Sequence, residues 1–188
     1  MVCVVAGEAR IRGAAPDDAE AIAALYRPVV LETGISFDWE PPTAEAWRER
    51  IAKVTTRYPW LVALDDHEEV AGFAYANTHR DAPSYQWSAN TSVFIRDDQR
   101  GRGLGKVLYA RLFDELAGLG YVHAFAGVAL PNPASVALHD AVGFRHLGTY
   151  EKVGFKLGQW RDVAWFQRPL QAPPDGVQPP APRTPPVR

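Results

Sequence analysis

The spacing of apolar positions predicts an alternation of strands and helices along most of the chain. Apolar residues recur at helical spacing behind Pro16, and proline suits the first turn of a helix. The same spacing predicts further helices over 44–57, 103–118 and 133–142. Short apolar runs between turn residues predict strands over 9–14, 59–64, 70–76, 85–95, 121–129, 146–155 and 159–170.

The order of these elements predicts a mixed α/β fold of the α+β type. The acidic segment 65–69 separates two apolar runs and indicates a β-hairpin, and Leu157 and Gly158 join two more strands in a closing hairpin. Strand–helix–strand units around residues 90–130 favour a parallel centre, with antiparallel flanks. We therefore expect a mostly antiparallel mixed sheet flanked by helices.

Composition divides the chain into one domain and a tail. Residues 171–188 contain seven prolines and almost no large apolar side chain, so this segment has too little apolar surface to offset its ordering entropy. We predict a single folded domain over 1–170 and a disordered, proline-rich tail over 171–188. A ligand for a proline-binding module is an alternative reading of the tail.

Charge and cysteine content exclude several classes of partner and site. The formal net charge is −2, so no overall basic field would attract nucleic acid or an anionic membrane. Cys3 is the single cysteine, which excludes an internal disulfide and a structural zinc site built from several thiolates. The first residues lack a basic leader, and no apolar run approaches the roughly 20 residues that span a bilayer. We expect a cytoplasmic protein without a metal, a membrane or a nucleic-acid partner.

A glycine-rich basic loop precedes the helix predicted over 103–118. Three glycines within five positions let the backbone turn sharply, and the amides at the start of the helix form an anion site. The alternative is a flexible turn with a solvated basic rim. The spacing does not match a P-loop, and the mid-chain position disfavours a dinucleotide fold. A diphosphate is the ligand we expect at the loop, which consists of Arg100, Gly101, Arg102, Gly103, Leu104, Gly105 and Lys106.

Two motifs in order give the sequence a family resemblance. Arg100-x-x-Gly103-x-Gly105 resembles the acetyl-CoA pyrophosphate motif of the GNAT acetyltransferases. About thirty residues later, 132–144 resembles the second signature of that superfamily, an asparagine, a short helix and a terminal Gly-Phe. The stretches 58–63, 72–76, 130–132 and 154–163 are similar to the phosphinothricin acetyltransferase branch. The resemblance covers about 10–170.

The resemblance implies the GNAT fold, with its sheet splayed at the acetyl-CoA site, and a homodimer. It also implies a set of cofactor contacts. The strand residues Val93, Phe94 and Ile95 would bind the pantetheine arm, the loop 100–106 the pyrophosphate, and Asn132 and Ser135 the arm further along. No metal is implied.

The resemblance also places residues near the acceptor amine. Phe37, Tyr75, Arg80 and Tyr85 match positions around the acceptor pocket, although Phe37 and Tyr75 could equally be core aromatic residues. A second basic residue that the branch tends to carry in the acceptor loop is replaced by Ala82. This replacement weakens the expectation that an amino-acid carboxylate or phosphinate is bound.

His139 and Asn90 are the catalytic candidates. His139 matches a position near the departing sulfur, where many superfamily members have a tyrosine general acid. Asn90 stands where the branch usually has a glutamate, and an amide cannot accept a proton as a carboxylate does. We expect water or His139 to take the proton. The remaining histidines, His67, His79, His123 and His146, are interpreted as surface residues.

The leading hypothesis is therefore an acetyl-CoA-dependent N-acetyltransferase for the primary amine of a small molecule, with amino-acid analogues such as phosphinothricin or methionine sulfoximine as one class. Two alternatives remain open. The acceptor could be a protein N-terminus or another amine metabolite, or the domain could bind acyl-CoA without catalysis, as the changes at Asn90 and Ala82 would allow.

Overall fold

A seven-stranded sheet runs through the residues that this computed structural model describes, which are 10–173, 175–176 and 178–185. The strand order is β1-β2-β3-β4-β5-β7-β6, and β4–β5 is the parallel pair among antiparallel ones. This arrangement confirms the predicted mixed, mostly antiparallel sheet. The strands are β1 (Arg10–Gly13), β2 (Trp60–Leu64), β3 (Val70–Thr78), β4 (Ser88–Ile95), β5 (His123–Ala129), β6 (Arg145–Lys156) and β7 (Gln159–Pro169).

Helices cover both faces of the sheet. In the described part of the chain they are α1 (Ala19–Glu32), α2 (Ala44–Thr55), α3 (Leu104–Leu119) and α4 (Pro133–Ala141). The alternation of side chains along β4 shows how the faces are divided: Val93 and Ile95 pack into the core under α3, whereas Phe94 packs into the core under α1 and α2. Two apolar layers therefore hold β4 rigidly between them.

Turn chemistry explains two element boundaries. Leu157 and Gly158 have φ values of 49° and 74°, the left-handed conformation that a tight two-residue hairpin requires, and the predicted join of β6 to β7 is confirmed. The strand predicted from residue 85 begins later. Pro83–Tyr85 forms a 3-10 turn in which the Tyr85 amide donates to the Ala82 carbonyl, so β4 begins at Ser88 and its pairing with β3 begins at Ala89.

The parallel pair β4–β5 is short. Its ladder joins Ser88 to His123, Ala89 to Ala124 and Asn90 to Phe125, and beyond this point no ladder pair joins the two strands. The Thr91 hydroxyl donates to the Phe125 carbonyl at 3.1 Å. From there to their carboxyl ends the strands diverge, which leaves a cleft in the middle of the sheet.

His139 lies in the core beneath this cleft. Its ring is 3% exposed and packs against Phe144 and Phe166. Its Nδ1 donates to the Ser135 carbonyl oxygen at 2.7 Å, so in the neutral ring Nε2 accepts a hydrogen bond from the Tyr109 hydroxyl at 3.0 Å. Burial lowers the pKa of His139, although the bond to Ser135 and the charge of Asp140 oppose this shift. The ring is therefore held neutral.

The proline-rich segment contacts the domain along one side. The Trp87 indole donates to the Pro180 carbonyl at 2.9 Å, and the Arg183 amide donates to the Leu119 carbonyl at 2.8 Å. Gln171 donates to the Tyr121 carbonyl at 2.8 Å. None of the described residues beyond Pro169 belongs to a helix or strand. The separate, disordered tail stays a prediction.

The burial of neutral His139 predicts a component of pH-dependent stability. In the unfolded chain the imidazole takes up a proton below its ordinary pKa of 6.5, whereas the folded ring resists protonation. The unfolded state then binds more protons, so the stability contributed by neutral His139 is complete above pH 6.5 and is lost as the pH falls toward the lowered pKa. Between pH 7.5 and pH 5.5, the free energy of unfolding measured in urea should fall less for His139→Gln than for the wild type.

His146→Gln is the matched control, because His146 is exposed. This variant should keep the pH dependence of the wild type. An equal change in unfolding free energy between the two pH values in wild type and His139→Gln would contradict the buried neutral ring.

Candidate functional site

Two adjoining clefts open where β4 and β5 separate. The first has a volume of about 450 Å³ and the second about 520 Å³, and Tyr150 and Trp165 line both. The other lining residues of the first cleft are Ile35, Phe37, Asn77, Asn90, Thr91, Ser92, Gly127, Ala129, Val153 and Val163. The other lining residues of the second cleft are His79, Arg80, Phe125, Leu147, Gly148 and Thr149. A small ligand could therefore reach from one cleft into the other.

The cleft wall holds two buried polar atoms that have no hydrogen-bond partner among the described residues. These atoms are Asn77 Oδ1, which accepts, and Trp165 Nε1, which donates. A buried polar atom without a partner destabilises the fold by about 1–3 kcal/mol. Both atoms are closed off from solvent, so the parts of Asn77 and Trp165 that line the cleft are their other atoms.

Asn90 forms a pair with His79 at the boundary between the clefts. Asn90 Oδ1 lies 2.8 Å from His79 Nδ1, and the His79 ring stacks on Phe125 with 4.1 Å between the ring centroids. Tyr85 packs its ring edge-on against His79 at 5.8 Å. The interpretation of His79 as a surface residue is therefore wrong, because the ring is half-buried and lines the second cleft.

The glycine-rich loop has the conformation that an anion site needs. Gly101 and Gly103 have φ values of 76° and 82°, and a Cβ built on either would meet nothing within 4 Å, so the space above them is open. The Leu104 and Gly105 amides precede the first hydrogen bonds within α3 and point out of its first turn. The basic side chains of Arg100, Arg102 and Lys106 are exposed around this turn. Gly105 has a different role from Gly101 and Gly103. A Cβ at Gly105 would lie 2.9 Å from Leu138, so the absence of a side chain there lets α3 pack against α4.

Asn132 and Ser135 shape the start of α4. Asn132 is the N-cap, and its side-chain oxygen accepts from the Ser135 amide at 3.1 Å. Ser135 in turn accepts from His139 through its carbonyl oxygen. Both residues thus have structural tasks, and their predicted contacts with a cofactor stay predictions.

The residues predicted near the acceptor lie in different places. Phe37 lines the first cleft, and Arg80 lines the second. Phe37 packs directly on Gly154, where a Cβ would come within 2.5 Å of its ring. Tyr85 is 46% exposed and reaches the site only through the ring of His79.

Tyr75 and His139 do not line either cleft. Tyr75 is 5% exposed, stacks on Trp60 and accepts a hydrogen bond from Arg50 at 2.8 Å, which is the position of a core aromatic residue. His139 is connected to the first cleft only indirectly, because the Tyr109 hydroxyl that it accepts from also interacts with Thr91. Burial raises the pKa of Tyr109, so this hydroxyl stays protonated.

Sequence reasoning missed Trp165, Tyr150, Asn77 and His79. In β7 the pattern does carry a signal, since Val163 and Trp165 alternate with the buried Ala164 and Phe166 and so face the cleft. The partners of Asn77 and His79 depend on the pairing of β3 with β4, which places Asn77 opposite Asn90. That register is not visible in either strand alone.

The described residues form neither a membrane-spanning helix nor a metal-binding cluster. None of the described helices is both long and apolar enough to cross a membrane. No group of three or more histidine, cysteine, aspartate or glutamate side chains in the described ranges is arranged to hold a metal ion.

Comparison with known proteins identifies the fold and the family. The protein-family model described as acetyltransferase (GNAT) domain matches residues 11–165 of the sequence. Phosphinothricin N-acetyltransferase of Streptomyces coelicolor is 42% identical, over 87% of this chain and 97% of that protein. The L-methionine sulfoximine/L-methionine sulfone acetyltransferase of Pseudomonas aeruginosa is 34% identical, over 85% of this chain and 93% of that protein.

A solved structure shares the fold of this chain. It is a GNAT superfamily phosphinothricin acetyltransferase from Sinorhizobium meliloti in complex with acetyl-CoA, with a TM-score of 0.85 and 34% identity over 92% of this chain and 97% of that one. Both the sequence match and the shared fold extend over nearly the whole domain. The chain belongs to the GNAT family of N-acetyltransferases.

Proposed function

We propose that the protein transfers the acetyl group of acetyl-CoA to the primary amine of a small, polar, amino-acid-like molecule. The observation that carries this proposal is the cleft between β4 and β5, with the open glycine loop following the end of β4. Relatives named for phosphinothricin and methionine sulfoximine support the acceptor class.

Acetyl-CoA fits the residues present. The open space over Gly101 and Gly103 and the first amides of α3 would hold the pyrophosphate, with Arg100, Arg102 and Lys106 supplying positive charge. Because β4 has no strand partner on its β5 side after Asn90, main-chain groups of 93–95 are available to the pantetheine arm. Asn132 and Ser135 would contact the arm from α4.

The reaction needs a neutral amine beside the thioester. An α-amine with a pKa near 8 is about one-tenth neutral at pH 7, whereas a lysine amine near 10.4 is less than about one-thousandth neutral. Holding the neutral amine against the carbonyl carbon supplies proximity, and backbone amides stabilise the oxyanion that forms. An amino-acid amine is therefore a better acceptor for this site than a lysine side chain.

The polar groups of the clefts favour a small amino-acid acceptor over a protein N-terminus. Arg80 in the second cleft can pair with a carboxylate or phosphinate. The absence of a second basic residue at Ala82 leaves Arg80 as the cation from this loop that lines the second cleft.

Release of the CoA thiol across a panel of amines tests this function. We expect amine-dependent release with phosphinothricin, methionine sulfoximine and methionine sulfone, and at least tenfold lower kcat/KM with an N-terminal peptide. Tight CoA binding without thiol release on any amine would show a binding domain and overturn the proposal. Preference for the peptide would overturn the acceptor class alone.

Gly103→Val should weaken CoA binding by at least about tenfold while the protein stays folded. A β-branched residue at φ 82° is strained, and its side chain would occupy the open space above the loop. Gly118→Val is the control, because Gly118 lies near the other end of α3 with no atom within 4 Å of its built Cβ and no positive φ. Calorimetry with CoA should give wild-type affinity for Gly118→Val, and wild-type affinity for both variants would contradict the assigned loop.

We further propose that the enzyme is a cytoplasmic homodimer that pairs through the tip of the β6–β7 hairpin. This hairpin patch consists of Trp39, Phe155, Leu157 and Trp160, whose exposures are 77%, 44%, 52% and 61%. Lys156, between two of them, donates to the Asp38 carbonyl and so holds Trp39 beside the hairpin. Such a cluster of exposed large apolar side chains marks an association surface. The one cysteine, Cys3, fits a reducing compartment.

Trp160→Arg should convert the dimer to a monomer. A charge at the centre of the hairpin patch would be desolvated without a partner on association. Light scattering after gel filtration should give twice the chain mass of 20.7 kDa for the wild type and for Val107→Arg, a control at an exposed apolar position on α3. Trp160→Arg should elute at the single-chain mass, and a dimeric Trp160→Arg would exclude this interface.

A further inference from the structure

The pair of His79 and Asn90 has a geometry that fixes the tautomer of a histidine. Asn90 Oδ1 faces His79 Nδ1 at 2.8 Å, while Asn90 Nδ2 faces the Thr78 carbonyl at 3.5 Å. The opposite amide orientation would set two acceptor oxygens against each other, so the Asn90 oxygen is the atom that faces the ring. An amide oxygen can only accept, and Nδ1 of the neutral ring therefore carries the hydrogen.

The other ring nitrogen is then left with a lone pair. Among the described residues, His79 Nε2 makes no hydrogen bond, and the ring lines the second cleft beside Arg80. Stacking on Phe125 holds the plane of the ring, and Tyr85 closes its edge. Phe125 is the last residue of β5 that pairs with β4, directly opposite Asn90. The imidazole is thus held in one orientation at the point where the strands begin to diverge.

We propose that His79 is the general base of this active site and that Asn90 is the residue that positions it. The inference rests on the acetyl transfer proposed above. In this proposal a histidine of the loop after β3 accepts the proton of the amine, whereas the sequence alone predicted His139 or water in that role. The amide at Asn90 orients the base, so it does not have to accept a proton itself.

Each atom of the step is accounted for. The substrate ammonium gives one proton to His79 Nε2 and becomes a neutral amine, whose nitrogen attacks the thioester carbonyl carbon and forms the new C–N bond. The tetrahedral intermediate then expels the CoA sulfur as the C–S bond breaks. The second proton lost by the nitrogen leaves with the thiol as S–H, and the imidazolium returns its proton to water.

His139 is a poorer candidate for this step. Both of its ring nitrogens have partners within the core, and the ring is 3% exposed and lines neither cleft. Proton transfer needs an atom within hydrogen-bond reach of the substrate. Nε2 of His79 has that access, since its ring forms part of the cleft wall.

Several charged and titratable groups surround His79, so its titration has to be assigned by mutation. Arg80 follows it in the chain and shares the second cleft, Tyr85 packs on its edge, and Tyr150 lies across the second cleft. His123 lies near Phe125, with 6.3 Å between those two ring centroids. His123 therefore offers a matched control, an imidazole near the site but outside both clefts.

The test compares His79→Gln, His123→Gln and the wild type on two amines, one of high and one of low pKa. With the basic amine, His79→Gln should lower kcat by about tenfold or more, since general-base help is typically worth about 10²–10⁴ in rate. With an amine that is already neutral at the assay pH the loss should be at most a few-fold. The acidic limb of the kcat/KM profile should disappear in His79→Gln only, and CoA affinity should be unchanged.

Two variants of Asn90 test the positioning role. Asn90→Asp keeps an acceptor for Nδ1, so activity should persist, with the acidic limb moved to higher pH because an adjacent carboxylate favours the protonated ring. Asn90→Ala removes the acceptor and should lower kcat more than it raises KM. Nitrogen chemical shifts of the His79 ring should show the Nδ1-protonated tautomer in wild type and a mixture in Asn90→Ala, a readout that does not depend on turnover.

The outcomes separate this inference from the proposed function. An active wild type with His79→Gln within twofold of it on both amines would overturn the role of His79 and leave acetyl transfer intact. Equal losses on both amines, or an Nε2-protonated ring in the wild type, would also overturn it. A wild type that releases no thiol with any amine would overturn both proposals.

Discussion

The separation of β4 from β5 is the constraint on which the rest of the site depends. Parallel pairing stops at Asn90 and Phe125, although both strands continue and are paired on their outer sides with β3 and β7. The Thr91 hydroxyl still joins the strands by donating to the Phe125 carbonyl, and beyond this bond no ladder pair connects their inner edges. Backbone groups left without a strand partner in a protein interior are costly unless something else pairs with them. Under the function proposed above, the pantetheine arm between the strands would supply those bonds.

The same separation explains how the proposed proton acceptor can lie on the loop after β3, at His79, and not on β4 at Asn90. Asn90 is the last residue of β4 that pairs with β5, and His79 lies just past the end of β3, two residues after the Asn77 that pairs with Asn90. Alternation along an extended strand brings positions 77 and 79 to one face, so an imidazole on the loop and an amide on the strand meet above Phe125. A strand position that holds an amide can therefore serve a base supplied by the neighbouring loop. The chemistry of this site has to be considered as a pair of residues from two elements.

Local pattern predicted most elements of this fold, because periodicity and turn chemistry are properties of neighbouring residues. The hairpin at Leu157 and Gly158 and the glycines at the start of α3 both followed from backbone freedom that the sequence displays directly. The start of β4 was placed too early because the aromatic Tyr85 looks like a strand residue, whereas the preceding Pro83 forms a 3-10 turn. The partnership of His79 with Asn90 could not be predicted, since it depends on strand register and on a stacking partner from β5. Tyr75 and His139 show the reverse case, in which chemically suggestive side chains are buried in cores.

The second signature motif shows that residues marking a family can act through the fold. Asn132 caps α4, and the Ser135 carbonyl oxygen accepts a hydrogen bond from His139 Nδ1. The His139 ring packs against Tyr109, Phe144 and Phe166. Gly105 completes the contact, because only a residue without a side chain lets the first turn of α3 approach Leu138 of α4. The motif therefore fixes the position of α4 relative to the amides at the start of α3. The amides of an anion site made of main-chain groups cannot be repositioned by rotation of a side chain. Their positions therefore depend on how tightly the two helices pack. His139, which is buried and lines neither cleft, thus supports the helix from which Asn132 and Ser135 are proposed to contact the cofactor.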